Sequence, residues 1–139
     1  MAKKTIQIDD GLMSFEFTNK TGDVIASFKI NPTDVHLIER CQTVAQQFAD
    51  LQRDVPEGAE IDEVARYDEK LRQMFDYLLD YDASETLFMK PMTPTTVLPN
   101  GTIFAVLVMD TIIDMVEPEI QKRQANMQKS MDKYLAKYR

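Results

Sequence analysis

The sequence predicts an α+β fold that is mostly helical: a small N-terminal antiparallel β-meander, then three main helices, the last of them long and kinked near Pro118. Two observations predict this class. Apolar residues alternate with polar ones over residues 1–30, as in half-buried strands, and then recur every three or four residues, as in amphipathic helices. A length of 139 residues with 44% hydrophobic residues suits one folded domain.

The predicted meander consists of three strands, in the segments "TIQI", "MSFEFT" and "DVIASFKI". The segment "NKTG" between the second and third strands supplies Asn and Gly for a tight turn. Every second position in the three strands is apolar, which predicts one core-facing surface formed by Ile6, Ile8, Met13, Phe15, Phe17, Val24, Ala26, Phe28 and Ile30.

The first helix is predicted to follow "NPTD", because Asn31 can cap a helix and Pro32 suits its first position. Asp34 would then lie near the positive end of the helix dipole. The breakers Pro56 and Gly58 are predicted to end it. Its apolar stripe consists of Leu37, Ile38, Cys41, Val44, Ala45, Phe48, Leu51 and Val55.

The second helix is predicted from about Glu60 to Tyr81, and "DASETLFM" adds a short helical turn capped by Asp82 or Ser84. The three prolines of "KPMTPTTVLPNG" predict an irregular loop after that turn. The apolar stripe of the second helix consists of Ile61, Val64, Leu71, Met74, Phe75 and Leu78.

The last helix is predicted to start near Asn100 or Thr102, with a kink or a fresh start at Pro118. We therefore divide the chain into an α+β domain, residues 1–118, and a basic amphipathic helical arm, residues 119–139. The domain comprises the meander, residues 1–30, and a helical part, residues 31–118. The apolar stripe of the last helix consists of Met109, Ile113, Val116, Ile120, Met127, Met131, Tyr134 and Tyr138.

The most apolar stretch of the chain, residues 103–116, indicates a buried core helix rather than a membrane span. It is shorter than the roughly 20 residues that cross a bilayer, and Asp110 and Asp114 interrupt it. Each carboxylate would cost about 2.5–3.5 kcal/mol near the bilayer centre. With a single cysteine, Cys41, and no apolar signal region after the N-terminal lysines, we expect a cytoplasmic protein without disulfides.

Charge is distributed unevenly along the chain. Residues 120–139 contain six basic residues and one acidic residue, a net charge of +5, whereas the whole chain carries −7. The remaining residues therefore carry −12, and an acidic domain of this kind lacks the basic face that nucleic-acid binding needs. The basic arm is suited to an acidic protein partner.

No catalytic constellation is apparent, so we do not expect an enzyme. The only histidine, His36, stands five residues from Cys41, a spacing that turns the two side chains to different faces of a helix. The sequence lacks "GxSxG", Walker-type and "GxGxxG" motifs, and the acidic stretch Asp76 to Glu85 lacks the glycine of an EF-hand loop. We therefore expect no metal and no cofactor.

Protein binding is the function that the residue chemistry favours. Methionine is frequent in the second half of the chain, and its flexible, polarisable side chain adapts to varied partners. The predicted arm combines an apolar stripe with cations, which indicates a helical docking surface. Its candidate binding residues are Met127, Met131, Tyr134, Tyr138, Lys122, Arg123, Lys129 and Lys133.

The order of these elements resembles the tail assembly chaperones of long-tailed, siphovirus-type bacteriophages and prophages of Gram-positive bacteria. The resemblance rests on the N-terminal strands, "FDYLLDYDASETLF", the proline-bearing loop, the apolar "FAVLVMDTIIDMV" and the charged last helix ending in "YLAKYR". It implies a protein of the bacterial host cytoplasm that coats the tape-measure protein, keeps it soluble and yields to the tail-tube protein. It implies no reaction.

Two other functions fit the same residues. A structural tail or head–tail connector subunit would pair its strands with neighbouring subunits and assemble as a homo-oligomer through the last helix. A cellular adaptor or regulatory domain would bind one acidic or helical partner through the basic arm.

Overall fold

A computed structural model of the chain describes residues 2–55 and 58–137, and its elements confirm the predicted class of a mostly helical α+β protein. A two-stranded sheet precedes the helices, and the last helix is long. In chain order the elements are β1 (Met13–Thr18), β2 (Val24–Ile30), α1 (Leu37–Asp54), α2 (Ile61–Ala65), α3 (Asp68–Leu79), α4 (Ser84–Leu87) and α5 (Phe104–Lys137).

The N-terminal sheet is a hairpin of β1 and β2, which pair antiparallel with Phe15 opposite Phe28. The Asn19 side chain closes the turn, because its Oδ1 atom accepts the backbone N–H groups of Thr21 and Asp23, both at 3.0 Å. Gly22 takes the positive φ, 87°, that this turn requires. The apolar faces of both strands point at the helices, as the alternation predicted, except at Val24. Val24 is 49% exposed, because it lies beyond the register shift at the turn end of the hairpin.

The prediction of a third strand at "TIQI" is wrong for this structure. Residues 2–10 form no strand, and Ile6 and Ile8 are 83% and 76% exposed. An alternation of apolar and polar residues indicates only that a segment suits a pleated, half-buried surface. A strand also needs a neighbouring strand that pairs with its backbone groups. β1 pairs with β2 and with no other described segment.

Helix α1 begins at Leu37, later than predicted, because the polar residues before it close turns instead of capping it. Asn31 Oδ1 accepts the N–H of Thr33 at 3.1 Å, and Asp34 Oδ1 accepts the N–H of His36 at 2.9 Å. The helix ends at Asp54 with Val55 extended, and the predicted breaker Pro56 lies outside the described residues. Its buried side chains are Leu37, Val44 and Leu51.

The predicted second helix is divided in two. Helix α2 ends at Ala65 and α3 begins at Asp68, with Tyr67 as the residue before its first turn. Ile61 was predicted in the buried stripe, but it is 75% exposed. Helix α2 is only five residues long, and none of its residues is buried. The stripe of α3 is buried as predicted, through Leu71, Met74, Phe75 and Leu78.

The predicted short turn of helix is present as α4, although neither Asp82 nor Ser84 caps it with a side chain. Its anchor comes from α3, since the Asp76 carboxylate accepts the backbone N–H of Ser84 at 2.7 Å and its hydroxyl at 2.9 Å. Asp80 ends α3 in the left-handed conformation, with φ 62°. This turn brings α4 back against β2.

The segment between α4 and α5 is an irregular loop, as its prolines predicted, and α3 holds it. Asp68 Oδ1 accepts both the N–H and the hydroxyl of Thr95, at 3.0 and 2.7 Å. Arg72 donates to the carbonyl of Phe88 at 3.0 Å. Thr95 is accordingly a buried polar residue whose hydrogen bonds are satisfied.

Edge-to-face phenylalanine pairs connect the layers of the core. Phe17 on the hairpin contacts Phe104 at 5.6 Å between ring centroids, Phe104 contacts Phe88 at 6.0 Å, and Phe88 contacts Phe75 at 5.3 Å. Phe75 continues to Phe48 on α1 at 5.9 Å. One chain of aromatic rings therefore joins the sheet to α5, the end of α4, α3 and α1.

Helix α5 is continuous through Pro118, which excludes a fresh start at that residue. A proline inside a helix has no N–H for the carbonyl four residues earlier, here that of Asp114, so the hydrogen-bond ladder lacks one bond there. The helix is buried against the rest of the chain from Phe104 to Ile120, and its last buried side chain is Ile120, 9% exposed.

We expect Phe88→Ala to lower the free energy of unfolding by about 3–5 kcal/mol, because it leaves a cavity at the centre of the aromatic chain. Urea denaturation measures the change. The matched control is Ile61→Ala on the exposed α2, which should change stability by no more than about 0.5 kcal/mol. Equal losses for the two variants would contradict this assignment of the core.

Candidate protein-interaction surface

The end of α5 extends beyond the rest of the chain. Residues 124–137, which we call the distal segment, are all exposed. Four large apolar side chains in the distal segment are 45–61% exposed: Met127, Met131, Tyr134 and Leu135. Tyr138, the remaining aromatic residue of the predicted stripe, lies outside the described residues.

The apolar side chains of the distal segment continue the buried face of α5. Successive positions on this face are three, four and four residues apart, and the pattern then repeats. Eleven residues thus make three turns, or about 3.67 residues per turn, close to the period of an α-helix. The positions are Met109, Ile112, Val116, Ile120, Arg123, Met127, Met131 and Tyr134. The first four are buried against the domain, the fifth is half-buried, and the last three are exposed. The apolar stripe that packs α5 on the core therefore continues along the helix beyond the last residue that contacts the core.

Basic side chains lie on the faces of this part of α5 that point away from the stripe. Lys122, Lys129 and Lys133 are exposed, whereas the acidic Asp132 accepts a hydrogen bond from Gln128 on the same helix at 3.0 Å. The distal segment therefore has an apolar face and cationic side chains on its other faces, the two features that the sequence predicts for a docking helix.

Arg123 differs from the other candidate residues, because it is 24% exposed and binds the protein's own backbone. Its Nη1 atom donates to the carbonyl of Gly11 at 2.6 Å, and its Nε atom donates to Glu119 one helical turn earlier at 2.9 Å. Gly11 has φ 74°, and a Cβ atom at that position would lie 2.8 Å from Nη1. Arg123 therefore fixes the N-terminal chain to α5.

A groove of about 450 Å³ lies between α1 and α5, beside the buried part of the same stripe. We call it the α1–α5 groove. It contains the sole cysteine, Cys41, and burial raises the pKa of that thiol, which keeps it protonated and unreactive. The apolar residues that line the α1–α5 groove are Ile38, Cys41, Ala45, Met109, Ile112, Ile113, Val116 and Ile120.

A second groove, of about 540 Å³, lies further along α5, between the loop of residues 32–35 and the start of the distal segment. We call it the loop–α5 groove. Met127 lines one side of it and Val35, 67% exposed, lines the other. The two grooves and the exposed stripe follow one another along α5, since Gln124 lines both grooves.

The loop wall of this second groove is held by an ion pair. Arg40 Nη2 donates to Asp34 Oδ2 at 2.7 Å, and Arg40 Nε donates to the carbonyl of Leu78 at 3.0 Å. The backbone N–H of His36 and the Arg40 guanidinium together lower the pKa of Asp34 below its usual 3.8. Sequence reasoning identified Asp34 only as a favourable helix-start residue and missed this anchoring role.

Sequence reasoning also missed both grooves. Each groove is formed by residues far apart in the chain, and no local pattern shows which faces meet. The available signal was that the predicted stripes of α1 and α5 are wide, with Ile38 and Ile113 among their members, and the structure leaves these two side chains exposed.

The described residues contain no group of three or more His, Cys, Asp and Glu side chains placed to hold a metal ion. His36 lies on the surface with its Nδ1 atom 3.8 Å from Glu39, whereas Cys41 faces the α1–α5 groove. Across residues 2–55 and 58–137, no helix combines the length and the apolar content that a bilayer crossing demands.

Comparisons with protein-family models, with curated proteins and with solved structures find no match to this chain.

We expect Asp34→Asn to change how stability depends on pH. The lowered pKa of Asp34 stabilises the folded chain above the unfolded-state pKa, and this contribution is lost as the pH falls through the folded-state pKa. The stability difference between the wild type and Asp34→Asn should therefore shrink on acidification, as measured by urea denaturation at a series of pH values. A difference that stays constant with pH would contradict the role given to the Asp34 charge.

We expect Arg123→Ala to release the N-terminal chain from α5, because Gly11 loses its side-chain donor. Amide hydrogen exchange should become faster at residues 9–13. The matched control is Lys122→Ala, which removes a neighbouring exposed cation that makes no such contact. Equal exchange in the two variants would show that the Arg123 contact does not hold this segment.

Proposed function

We propose that this protein is a chaperone that binds amphipathic helices of a client protein. On the resemblance described above, we propose further that it is a phage tail assembly chaperone. Its client would be the tape-measure protein, kept soluble in the bacterial host cytoplasm until tail-tube subunits replace the chaperone. The proposal includes no reaction and no cofactor.

The observation that carries the proposal is the apolar stripe of α5 that continues past the domain. A solitary exposed apolar residue is ordinary on a protein surface, but a periodic row on one helical face is typical of a surface that packs against another helix. Met127 and Met131 are about half exposed, and they are followed on the same face by Tyr134. The α1–α5 groove and the loop–α5 groove extend this surface towards the domain.

The chemistry of the surface suits a client that must be released later. Methionine side chains repack around different apolar partners, so one surface can cover many unlike helical segments of a long client. The lysines on the other faces of the distal segment add a longer-range electrostatic attraction to acidic clients that is weakened by salt. Several weak contacts along one client give a stable coat that incoming subunits can displace one contact at a time.

The acidic remainder of the chain supports the same function. With a net charge of −7, chaperone molecules bound along a client would repel one another and other acidic proteins, which opposes aggregation of the coated client. The apolar stripe would then face the client and the acidic domain would face the solvent.

We expect the double variant Met127→Lys and Met131→Lys to bind a soluble fragment of a tape-measure protein at least tenfold more weakly than the wild type. Complete burial of a methionine side chain contributes about 1.5–3 kcal/mol. Met127 and Met131 are already half buried in the free protein, so each can contribute roughly half of that on binding, and about 1.4 kcal/mol corresponds to a tenfold change in affinity. Stability of the variant should be unchanged, because both side chains lie outside the core. Titration calorimetry and urea denaturation measure the two quantities.

The matched control is Ala125→Lys and Ala136→Lys, which adds the same two charges to the opposite, exposed face of the distal segment. It should bind the fragment as the wild type does. Equal weakening in both double variants would contradict the assignment of the stripe. A wild type that binds no fragment and forms closed rings of fixed size would favour the connector subunit, and one that does neither would favour the cellular adaptor.

A further inference from the structure

The two edges of the hairpin differ in how their backbone groups are satisfied. At the outer edge of β2, Lys29 donates its backbone N–H to the Tyr81 hydroxyl at 2.8 Å. The carbonyl of Ser27 at the same edge accepts the Thr86 hydroxyl at 2.8 Å. The turn after α3 and helix α4 therefore close this edge.

These two contacts also show which backbone N–H and C=O groups of β1 point away from β2. In an antiparallel pair, residues whose backbone groups point away from the partner strand face each other as non-hydrogen-bonded pairs. Lys29 is opposite Ser14, and Ser27 is opposite Glu16. The backbone N–H and C=O groups of Ser14 and Glu16 therefore point to the outer edge of β1, where no described residue hydrogen-bonds to them.

The apolar face of the sheet is incompletely covered at this same edge. On β2 the core-facing residues Ala26, Phe28 and Ile30 are buried, whereas every core-facing residue of β1 is only half-buried: Met13, Phe15 and Phe17. β1 is six residues long with one charge and no proline, so it lacks the usual protection of an edge strand.

The segment that the sequence predicts as a strand lies unpaired in the same molecule. Residues 2–8, which we call the N-terminal segment, are exposed, and Ile6 and Ile8 share one face of an extended chain. No described residue donates a backbone hydrogen bond to the N-terminal segment or accepts one from it. The protein thus has an open strand edge and a strand-forming segment that do not meet within one chain.

We propose that the N-terminal segment of one molecule pairs antiparallel with the outer edge of β1 in a second copy of this chain. Reciprocal exchange gives a two-fold symmetric dimer in which each sheet has three strands. The arrangement does not depend on the client-binding function proposed above.

The contacts around residues 9–12 favour a second copy over the molecule's own segment. Asp9 Oδ1 accepts the N–H of Gly11 at 2.9 Å, and Asp10 Oδ1 accepts the N–H of Leu12 at 3.1 Å. Arg123 holds the carbonyl of Gly11. These bonds fix the four-residue connection in the conformation that leaves the N-terminal segment unpaired, and pairing within one chain would require them to rearrange.

The side chains of the two strands match in the exchanged pairing. Placing Ile6 opposite Phe15 brings Ile8 opposite Met13, so both isoleucines cover the half-buried face of β1. Thr5 then lies opposite Glu16 and Gln7 opposite Ser14, which makes these the hydrogen-bonded pairs. Lys3 lies diagonally beside Glu16, where opposite charges attract.

The test is a proline substitution at each of two adjacent positions in the full-length chain. In any antiparallel register that places Ile6 and Ile8 on the apolar face, the N–H of Thr5 points at β1 and that of Lys4 points away. Thr5→Pro should therefore abolish dimer formation in sedimentation velocity, and Lys4→Pro, the matched control, should preserve it. In the wild type, the Ser14 and Glu16 amides should become protected from hydrogen exchange as concentration rises.

Isotope-filtered NMR on a mixture of labelled and unlabelled wild type distinguishes exchange from pairing within one chain. Contacts between Ile6 of one copy and Phe15 of the other are expected. A monomer at all concentrations, an Ile6–Phe15 contact only within one chain, or protection of Ser14 and Glu16 that persists in Thr5→Pro would each overturn the proposal. Loss of the dimer in both proline variants would also overturn it.

Discussion

The edge-to-face packing of Phe104 between Phe17 and Phe88 is the interaction on which the rest of the structure depends. Phe104 is the first residue of α5, and its ring contacts both the hairpin and the end of α4. A two-stranded hairpin has little stability of its own in water, so this contact, together with the hydrogen bonds from Tyr81 and Thr86 to β2, holds it against the helical layer. The same ring sets where α5 starts and therefore which of its faces is buried.

Because α5 starts in the core and runs for 34 residues, its far end extends beyond the core, and residues 124–137 are exposed. At 1.5 Å per residue the helix is about 50 Å long, which exceeds the roughly 30 Å diameter of a small domain. The stripe stays apolar beyond that limit, and lysines occupy the other faces of the same segment. The distal segment is exposed because the sequence sets a helix that is longer than the domain that packs against it.

Side-chain contacts to the backbone give this surface fixed boundaries. Asp34 and Arg40 hold the loop that faces Met127, and Arg123 holds the N-terminal chain against α5. Asp76 holds α4 in place by two hydrogen bonds, and Thr86 on α4 contacts the edge of β2. Loops anchored in this way keep the grooves and the open β1 edge in place without a partner, so a partner would lose less entropy on binding.

The sequence by itself determined the class of the fold, the two paired strands and the buried face of α3, because each is a local period of apolar residues. It determined most of the apolar stripe of α5 for the same reason, although Ile112 is buried there and the predicted Ile113 is exposed. It also predicted a binding surface near the end of α5, which stays a prediction. Only the tertiary structure decided that "TIQI" has no partner strand, that the second predicted helix breaks before Asp68 and that Arg123 binds Gly11. These outcomes depend on which distant segments meet, and a local period carries no information about what lies opposite it.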